Sequence, residues 1–264
     1  MTLLASTPAA DWRLAGVLFI FVAVAVGVSL VAGLGVAREQ VVAAIRAVVQ
    51  LAVVSTVIAA VLGSLGLSFG FVAFMFLIAS FSASRRLLVP VRQQMAWVGL
   101  AIACGAGPVV GLCLGSGVIP LNGAGVIPIA GIVIGNAMTA VAASGRRAFD
   151  ELKAQRGQYE AALALGLQEP EAVRLVVQPT AREALLPTLD QTRTVGLVTL
   201  PGAFIGVLLG GGTAVEAGAA QLLVLIGLLA AQALSAAATL RLIGSGLVFR
   251  EGIEPERRRL ALAR

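Results

Sequence analysis

Residues 126–166 read VIPIAGIVIGNAMTAVAASGRRAFDELKAQRGQYEAALALG, and their reading decides the fold. The first part, 126 to 144, carries no charge. At about 1.5 Å of rise per helical residue it is long enough to cross most of a hydrocarbon core of about 30 Å. Beyond it the charges arrive, yet the helical period persists: Phe149, Leu152, Tyr159 and Leu163 share one stripe, with Arg156 among them. The pattern predicts a membrane helix that leaves the bilayer and continues into water until Gly166 ends it. Backbone groups in lipid must be bonded within their own segment, so such spans are helices and not strands.

The rest of the chain extends this reading. Of 264 residues, 59% are hydrophobic and 12% charged, about half the charged share of an ordinary globular domain. Apolar runs fall near 14–36, 41–63, 67–84, 95–118, 126–144, 190–210 and 217–243. They predict an all-α polytopic membrane protein of about seven spans, one permease-like domain over residues 1–264, with no room for a separate soluble domain. The N-terminal MTLLASTPAADW lacks a basic start and a cleavage pattern, so the first run is expected to stay in the mature protein. Cys104 and Cys113 share one run but fall on opposite helix faces, which favours two small buried hydrophobes over a disulfide or a shared metal.

A net charge of +6 would point to nucleic acid in a soluble protein; here the placement of the charge matters more, and no nucleic-acid partner is expected. If the N-terminus lies outside, Arg38, Arg46, Arg85, Arg86, Arg92, Arg146, Arg147, Lys153, Arg156 and the later arginines all fall on or beside cytoplasmic segments, leaving Arg13 alone for the other side. The connections 64–66, 119–125 and 211–216 contain no Lys or Arg. That asymmetry predicts an outside N-terminus, an inside C-terminus and residence in the inner (plasma) membrane.

Between the fifth and sixth runs, about 145–187, lies a patterned cytoplasmic segment. Pro170 suits a first helical turn and Glu171 the positive end of a helix, predicting a short helix that stops before Pro179. Thr180 and Glu183 have capping-box spacing, which predicts a third helix start, with Pro187 breaking or kinking it. Glu160-Ala161-Ala162, three residues, Gly166, nine residues, Val176, one residue and then Gln178-Pro179 resembles the EAA loop of ABC transporter permeases, with Val176 and Gln178 in place of Ile and Leu. The resemblance implies a coupling helix that docks on an ATPase subunit, and assigns that contact to Glu160, Ala161, Gly166, Leu167, Glu169, Glu171 and Arg174.

Three further stretches, IRAVVQL (45–51), VIPIAGIVIGNAMTAVA (126–142) and TVGLVTLPGAFIGVLLGG (194–211), resemble the membrane signatures of the FetB/YbbM permease family. The resemblance runs from about residue 40 to 240. It implies the membrane subunit of a small ABC system associated with iron export, with two permeases and two ATPases, and plant relatives linked to aluminium tolerance. One departure bears on the substrate: the family's PGMM is here Pro201-Gly202-Ala203-Phe204, without the two thioethers a soft metal would favour.

Energy has to come from elsewhere. A phosphate-binding loop needs Gly-Lys followed by Ser or Thr, and the one lysine, Lys153, sits between Leu152 and Ala154. No catalytic residue is expected; ATP and magnesium would enter through the partner ATPase, and this chain would bind no cofactor. With no histidine and no mid-span acid, gradient-driven coupling is disfavoured.

Candidate positions along a substrate path are Gln50, Asn136, Met138, Pro201 and Gly202. Gln50 and Asn136 are costly in lipid unless paired, so each either bonds another helix or faces a conduit. Arg46, four residues before Gln50, either snorkels to the interface or joins it. Pro201-Gly202 interrupts the sixth run, either as a packing kink or as an opening of backbone carbonyls to a ligand. No metal-ligand set is evident, so a metal would pass weakly held or meet ligands across a dimer seam. The expectation is an ABC permease, for iron or a related metal in the family's terms; a small organic or nucleotide-sugar carrier, a gradient-driven transporter and a membrane assembly factor are the alternatives.

Overall fold

The computed structural model describes residues 11–250; the N-terminal stretch and the basic tail at 257–259 and 264 lie outside the described residues. Among the described residues ten α-helices follow one another: α1 (Trp12–Val31), α2 (Ala37–Val61), α3 (Leu65–Leu87), α4 (Val91–Gly115), α5 (Gly123–Ala154), α6 (Arg156–Ala164), α7 (Glu169–Ala181), α8 (Leu186–Thr194), α9 (Gly202–Leu209) and α10 (Ala214–Gly244). Six of them, α1 to α5 and α10, are long and apolar enough to cross a membrane. The protein is an all-α polytopic membrane protein.

Helix starts follow from local chemistry. Asp11, Ser64 and Asn122 each accept a bond from a free first-turn N–H of α1, α3 and α5, and Thr213 with Glu216 forms a reciprocal capping box at α10. Within the spans, hydroxyls turn back onto the carbonyl four residues earlier, as Ser80 and Ser84 do in α3 and Ser144 in α5. Each thereby satisfies a polar group that lipid would leave bare.

The core is a bundle of α3, α4, α5 and α10. Its close approaches set helix direction. Positions 131 and 145 of α5 lie against Met75 and Leu87 of α3, and positions 136 and 145 lie against Gln232 and Thr239 of α10. Neighbouring numbers rise together, so α3, α5 and α10 run parallel. Along α4, Gly105 meets Ala231 and Ser235 while Val109 meets Gly227, so α4 runs the other way. On α5, Gly131 lies against Met75, whereas Gly135 faces open space.

Two parallel helices joined by one connection require that connection to traverse the bundle. Between α5 and α10 the segment 186–213 does this, but not as the single helix expected over 190–210. It is α8, a non-helical link at 195–201 and then α9. The eight residues of α9 reach about 12 Å, far short of a bilayer. The break has local causes: Gly196 takes φ +80°, and Pro201 cannot donate to a helical ladder. Among the described residues, six helices are thus long enough to cross a membrane, and the run expected over 190–210 is a broken segment.

Several local expectations are corrected. The helix leaving the membrane is interrupted at Gln155 before α6 begins, instead of running unbroken to Gly166. α7 does not stop before Pro179 but runs to Ala181, where a 3-10 turn over Arg182–Ala184 follows, so no helix starts at Thr180. Pro179 forfeits the one N–H bond that would reach the Leu175 carbonyl, and the helix ends two residues later. Pro187 opens the first turn of α8, where its missing N–H costs nothing, and does not break it. Cys113 is buried as expected, but Cys104 is exposed on the outer face of α4.

α1 and α2 stand apart as a hairpin. α1 packs on α2 alone among strong contacts, joined by Ser29 Oγ donating to Gln40 Oε1 at 2.9 Å, and α2 touches the bundle only lightly at α3. No residue of α2 is buried.

Candidate functional site

The broken traverse is held by three side-chain amides. Thr188 on α8 donates its hydroxyl to Gln232 Oε1 on α10 at 2.6 Å, and Gln232 Nε2 donates to Asn136 Oδ1 on α5 at 3.2 Å. The Asn136 amide in turn donates to the Ile132 carbonyl at 2.9 Å. Thr188 and Gln232 are buried and Asn136 half-buried. Asn136 is therefore bonded to a neighbouring helix. Further along α10, buried Gln221 turns Oε1 to the backbone N–H of Phe204 at 3.2 Å. That N–H also donates to the Pro201 carbonyl at 3.1 Å, so Gln221 supplies a second acceptor, from another element, in the first turn of α9. Pro201 is the N-cap residue and Gly202 the first residue of α9. Ala203, at one of the departures from PGMM, packs on the core, and Phe204 is half-buried.

The link between these two anchors is exposed: Leu197, Val198 and Leu200 are uncovered, and a Val195–Thr199 bridge with Gly196 N–H to Thr199 C=O closes it into a tight loop. Met138 is half-buried against the α5 side of the core and does not join Asn136 and Gln232 in this network. Gln50 lies elsewhere, exposed on α2 beside exposed Arg46, so the structure does not bring it to Asn136 or Pro201 within one chain. Among the described residues no group of three or more His, Cys, Asp or Glu side chains could hold a metal ion.

The second feature is the knob formed by α6 and α7. Phe149 and Leu152 are buried and Tyr159 and Leu163 half-buried, so the stripe expected across the α5–α6 break faces inward. Arg156, placed in that stripe by its number, instead points out and pairs with Glu160 at 2.7 Å. Gly166 takes φ +90°, the left-handed conformation that ends α6 and reverses the chain. Tyr159 Oη donates to Glu169 Oε1 at 3.0 Å across the turn, and Glu171 accepts from the Gln168 N–H at 3.2 Å. α7 then buries Ala172, Val173, Val176 and Val177 against α5 and α10.

The opposite surface of the knob is unusual for a segment outside the bundle. Leu165 is 82% exposed at the tip and Leu175 50% exposed on the outer side of α7. Glu160, Ala161 and Glu171 are exposed near them, Leu167 and Glu169 are half-buried, and Arg174 lies on the flank facing α10. The two leucines escaped the sequence reading because nothing in a helical stripe distinguishes an apolar residue on the free side from one in the core.

A profile of the uncharacterised protein family UPF0014 matches residues 12–247. The chain is 33% identical to the UPF0014 membrane protein STAR2 of Oryza sativa subsp. japonica over 81% of this chain and 75% of that protein. It is 32% identical to the protein ALUMINUM SENSITIVE 3 of Arabidopsis thaliana, over 78% and 76% respectively. It is 36% identical to the probable iron export permease protein FetB of Escherichia coli, over 52% of each. No solved structure matches significantly. With the match spanning the hairpin, the bundle, the knob and the broken traverse, the chain belongs to the UPF0014 family of multi-pass membrane proteins.

Proposed function

We propose that this chain is the membrane-spanning permease subunit of an ABC transporter, working as a homodimer with a separate ATPase and exporting iron or a related metal. The knob carries the reading. Its turn is rigidly made by Gly166 and the Tyr159–Glu169 bond, and its free side offers Leu165 and Leu175 to water. Exposed leucines on a polar, well-ordered projection suit insertion into a partner's cleft. Glu160, Ala161, Glu169 and Glu171 rim that surface, while Leu167 supports the turn.

The basic residues favour the knob end as cytoplasmic. Helix directions group Arg38, Arg85, Arg86, Arg92, Arg146, Arg147 and Arg241 at that end and Arg13 at the other. The dimer is supported by α2, a 25-residue membrane helix that exposes Gln50 near its middle. An unpaired amide facing lipid is unfavourable, and a second copy is the cover that symmetry offers. The substrate is supported by the name of the FetB relative alone. Ala203 and Phe204, apolar at the start of α9, favour a small organic solute as the second reading.

The test uses the tagged full chain in its own cells. ATP hydrolysis should accompany the purified wild type and fall at least about tenfold with L165D/L175D, as expected when two apolar anchors are lost. Unchanged ATPase recovery, at equal membrane levels, would sink the coupling role. Whole-cell iron should rise on deletion of the chain under iron excess; unaltered content of every metal would transfer the proposal to the organic solute.

A further inference from the structure

α7 and the knob end of α10 enclose a groove of about 460 Å³ that the permease reading does not use. Arg174 of α7 and Arg241 of α10 are its only charged lining residues, and the amide of Gln178 lies beside them. Neither arginine has an ion-pair partner among the described residues, although four other arginines do. The remaining wall is apolar, with Val173 and Val177 on one side and Ala237 and Leu240 on the other.

The groove's position matters as much as its charge. Arg241 lies in the last turn of the membrane helix α10, and Ala237 is one turn deeper along the same helix. The cationic part therefore sits at the bilayer edge and the apolar part descends toward the hydrocarbon. A free anion would satisfy only the first part, and an apolar peptide only the second.

We propose that this groove binds one anionic phospholipid of the adjoining leaflet, its phosphate between Arg174 and Arg241 and the start of an acyl chain along Ala237 and Leu240. Guanidinium forks suit phosphate oxygens, and basic pockets between membrane helices are suited to anionic headgroups. Such a lipid bridges α7 to α10, so it braces the knob against the bundle. The site requires only that the chain is membrane-embedded and does not depend on an ATPase or on the substrate.

The experiment is native mass spectrometry of the purified full chain in detergent with added phosphatidylglycerol or phosphatidylcholine, paired with thermal unfolding in each lipid. The wild type should retain one phosphatidylglycerol in preference to phosphatidylcholine. R174Q/R241Q should lower that retention by about 30-fold, at about 5-fold per basic residue, whereas R174K/R241K should keep most of it. A237W should reduce it by filling the apolar part. R92Q, which removes an exposed arginine elsewhere at the same end, should leave it unchanged. Equal retention by wild type and R174Q/R241Q, or an equal loss in R92Q, would overturn the proposal. So would inorganic phosphate competing for the site as well as the lipid does, since the acyl chain would then contribute nothing. Should A237W fail to fold, the lysine and glutamine pairs still separate the outcomes.

Discussion

Thr188 and Gln232, 44 positions apart, meet at 2.6 Å where α8 enters the bundle beside α10. Through Gln232 the contact continues to Asn136, so the segment that follows the knob is bonded to two membrane helices in series. Under the permease reading, any movement of α7 passed to α8 arrives first at this junction.

Removing the junction should weaken the fold by a modest amount and in a non-additive way. T188V deletes one bond, whereas Q232L strands both the Thr188 hydroxyl and the Asn136 Oδ1. Each should cost about 1–2 kcal/mol, with Q232L the larger. In a double-mutant cycle by thermal unfolding in detergent, the coupling energy should be about 0.6–1.7 kcal/mol. Strict additivity would show that the two side chains do not interact.

Gln221 should control the order of α9 independently of global stability. Q221L removes one of the two acceptors of the Phe204 N–H and leaves the Pro201 carbonyl, so amide exchange at 202–205 should accelerate by up to about tenfold, the equivalent of one neutral hydrogen bond. Exchange across α4 and α5 should change little. Protection at Phe204 that survives Q221L would show that α9 does not need the cap.

Two glycines should respond to alanine in opposite ways when their neighbours are trimmed. A Cβ at Gly105 would lie 2.2 Å from the Ala231 carbonyl oxygen and 2.1 Å from Ser235 Oγ, so part of the obstruction is backbone. G105A should cost about 1–3 kcal/mol and S235A should not restore it. A Cβ at Gly145 would meet Leu87 Cδ2 at 2.4 Å, a side-chain atom. G145A should therefore be relieved by L87A measured against L87A alone. Thermal unfolding of the two pairs reads both outcomes.

Arg250 acts as a clip at the knob end. Its Nε donates to the Leu87 carbonyl at 3.1 Å, its Nη1 to Asp150 at 2.9 Å, and its guanidinium lies 5.1 Å from the centre of the Phe149 ring. Next to it, Phe249 N–H donates to Gln94 Oε1 at 2.9 Å. R250A should lower stability by about 1–2 kcal/mol, and R250K should recover little, because an ammonium cannot reproduce the planar fork over the ring. Full recovery by lysine would reduce the clip to a simple charge.

The proposed dimer gives a direct test at Gln50. With Cys104 and Cys113 replaced by alanine, Q50C should form an oxidant-dependent crosslinked dimer in native membranes, while a cysteine at the bundle-facing Val133 should not. A crosslink that is absent, or equal at both sites, would count against α2 as the seam.

What the sequence determined by itself is the part governed by local composition and period. Runs of uncharged residues had to become membrane helices because their backbone groups have nowhere else to bond. Gly166 marked the turn of the knob, since the left-handed backbone there suits glycine, whereas the capping-box spacing at Thr180 and Glu183 marked no helix start. Pro201-Gly202 signalled a break, but its extent, from 195 to 201, is seen only in the folded chain, where Gln221 also reaches across from α10 to the first turn of α9.

Tertiary structure decided which polar residues are partners. Asn136 was visible as a cost in lipid, yet Gln232, Gln221 and Thr188 acquire their roles only when α5, α8, α9 and α10 are brought side by side. Direction was likewise a tertiary matter: a broken crossing became necessary because α5 and α10 pack in parallel. The free side of the knob was decided by burial, since the same apolar pattern that seats Val173 and Val177 leaves Leu165 and Leu175 in the open. Periodicity specifies a face, but only the packed neighbours determine which face is covered.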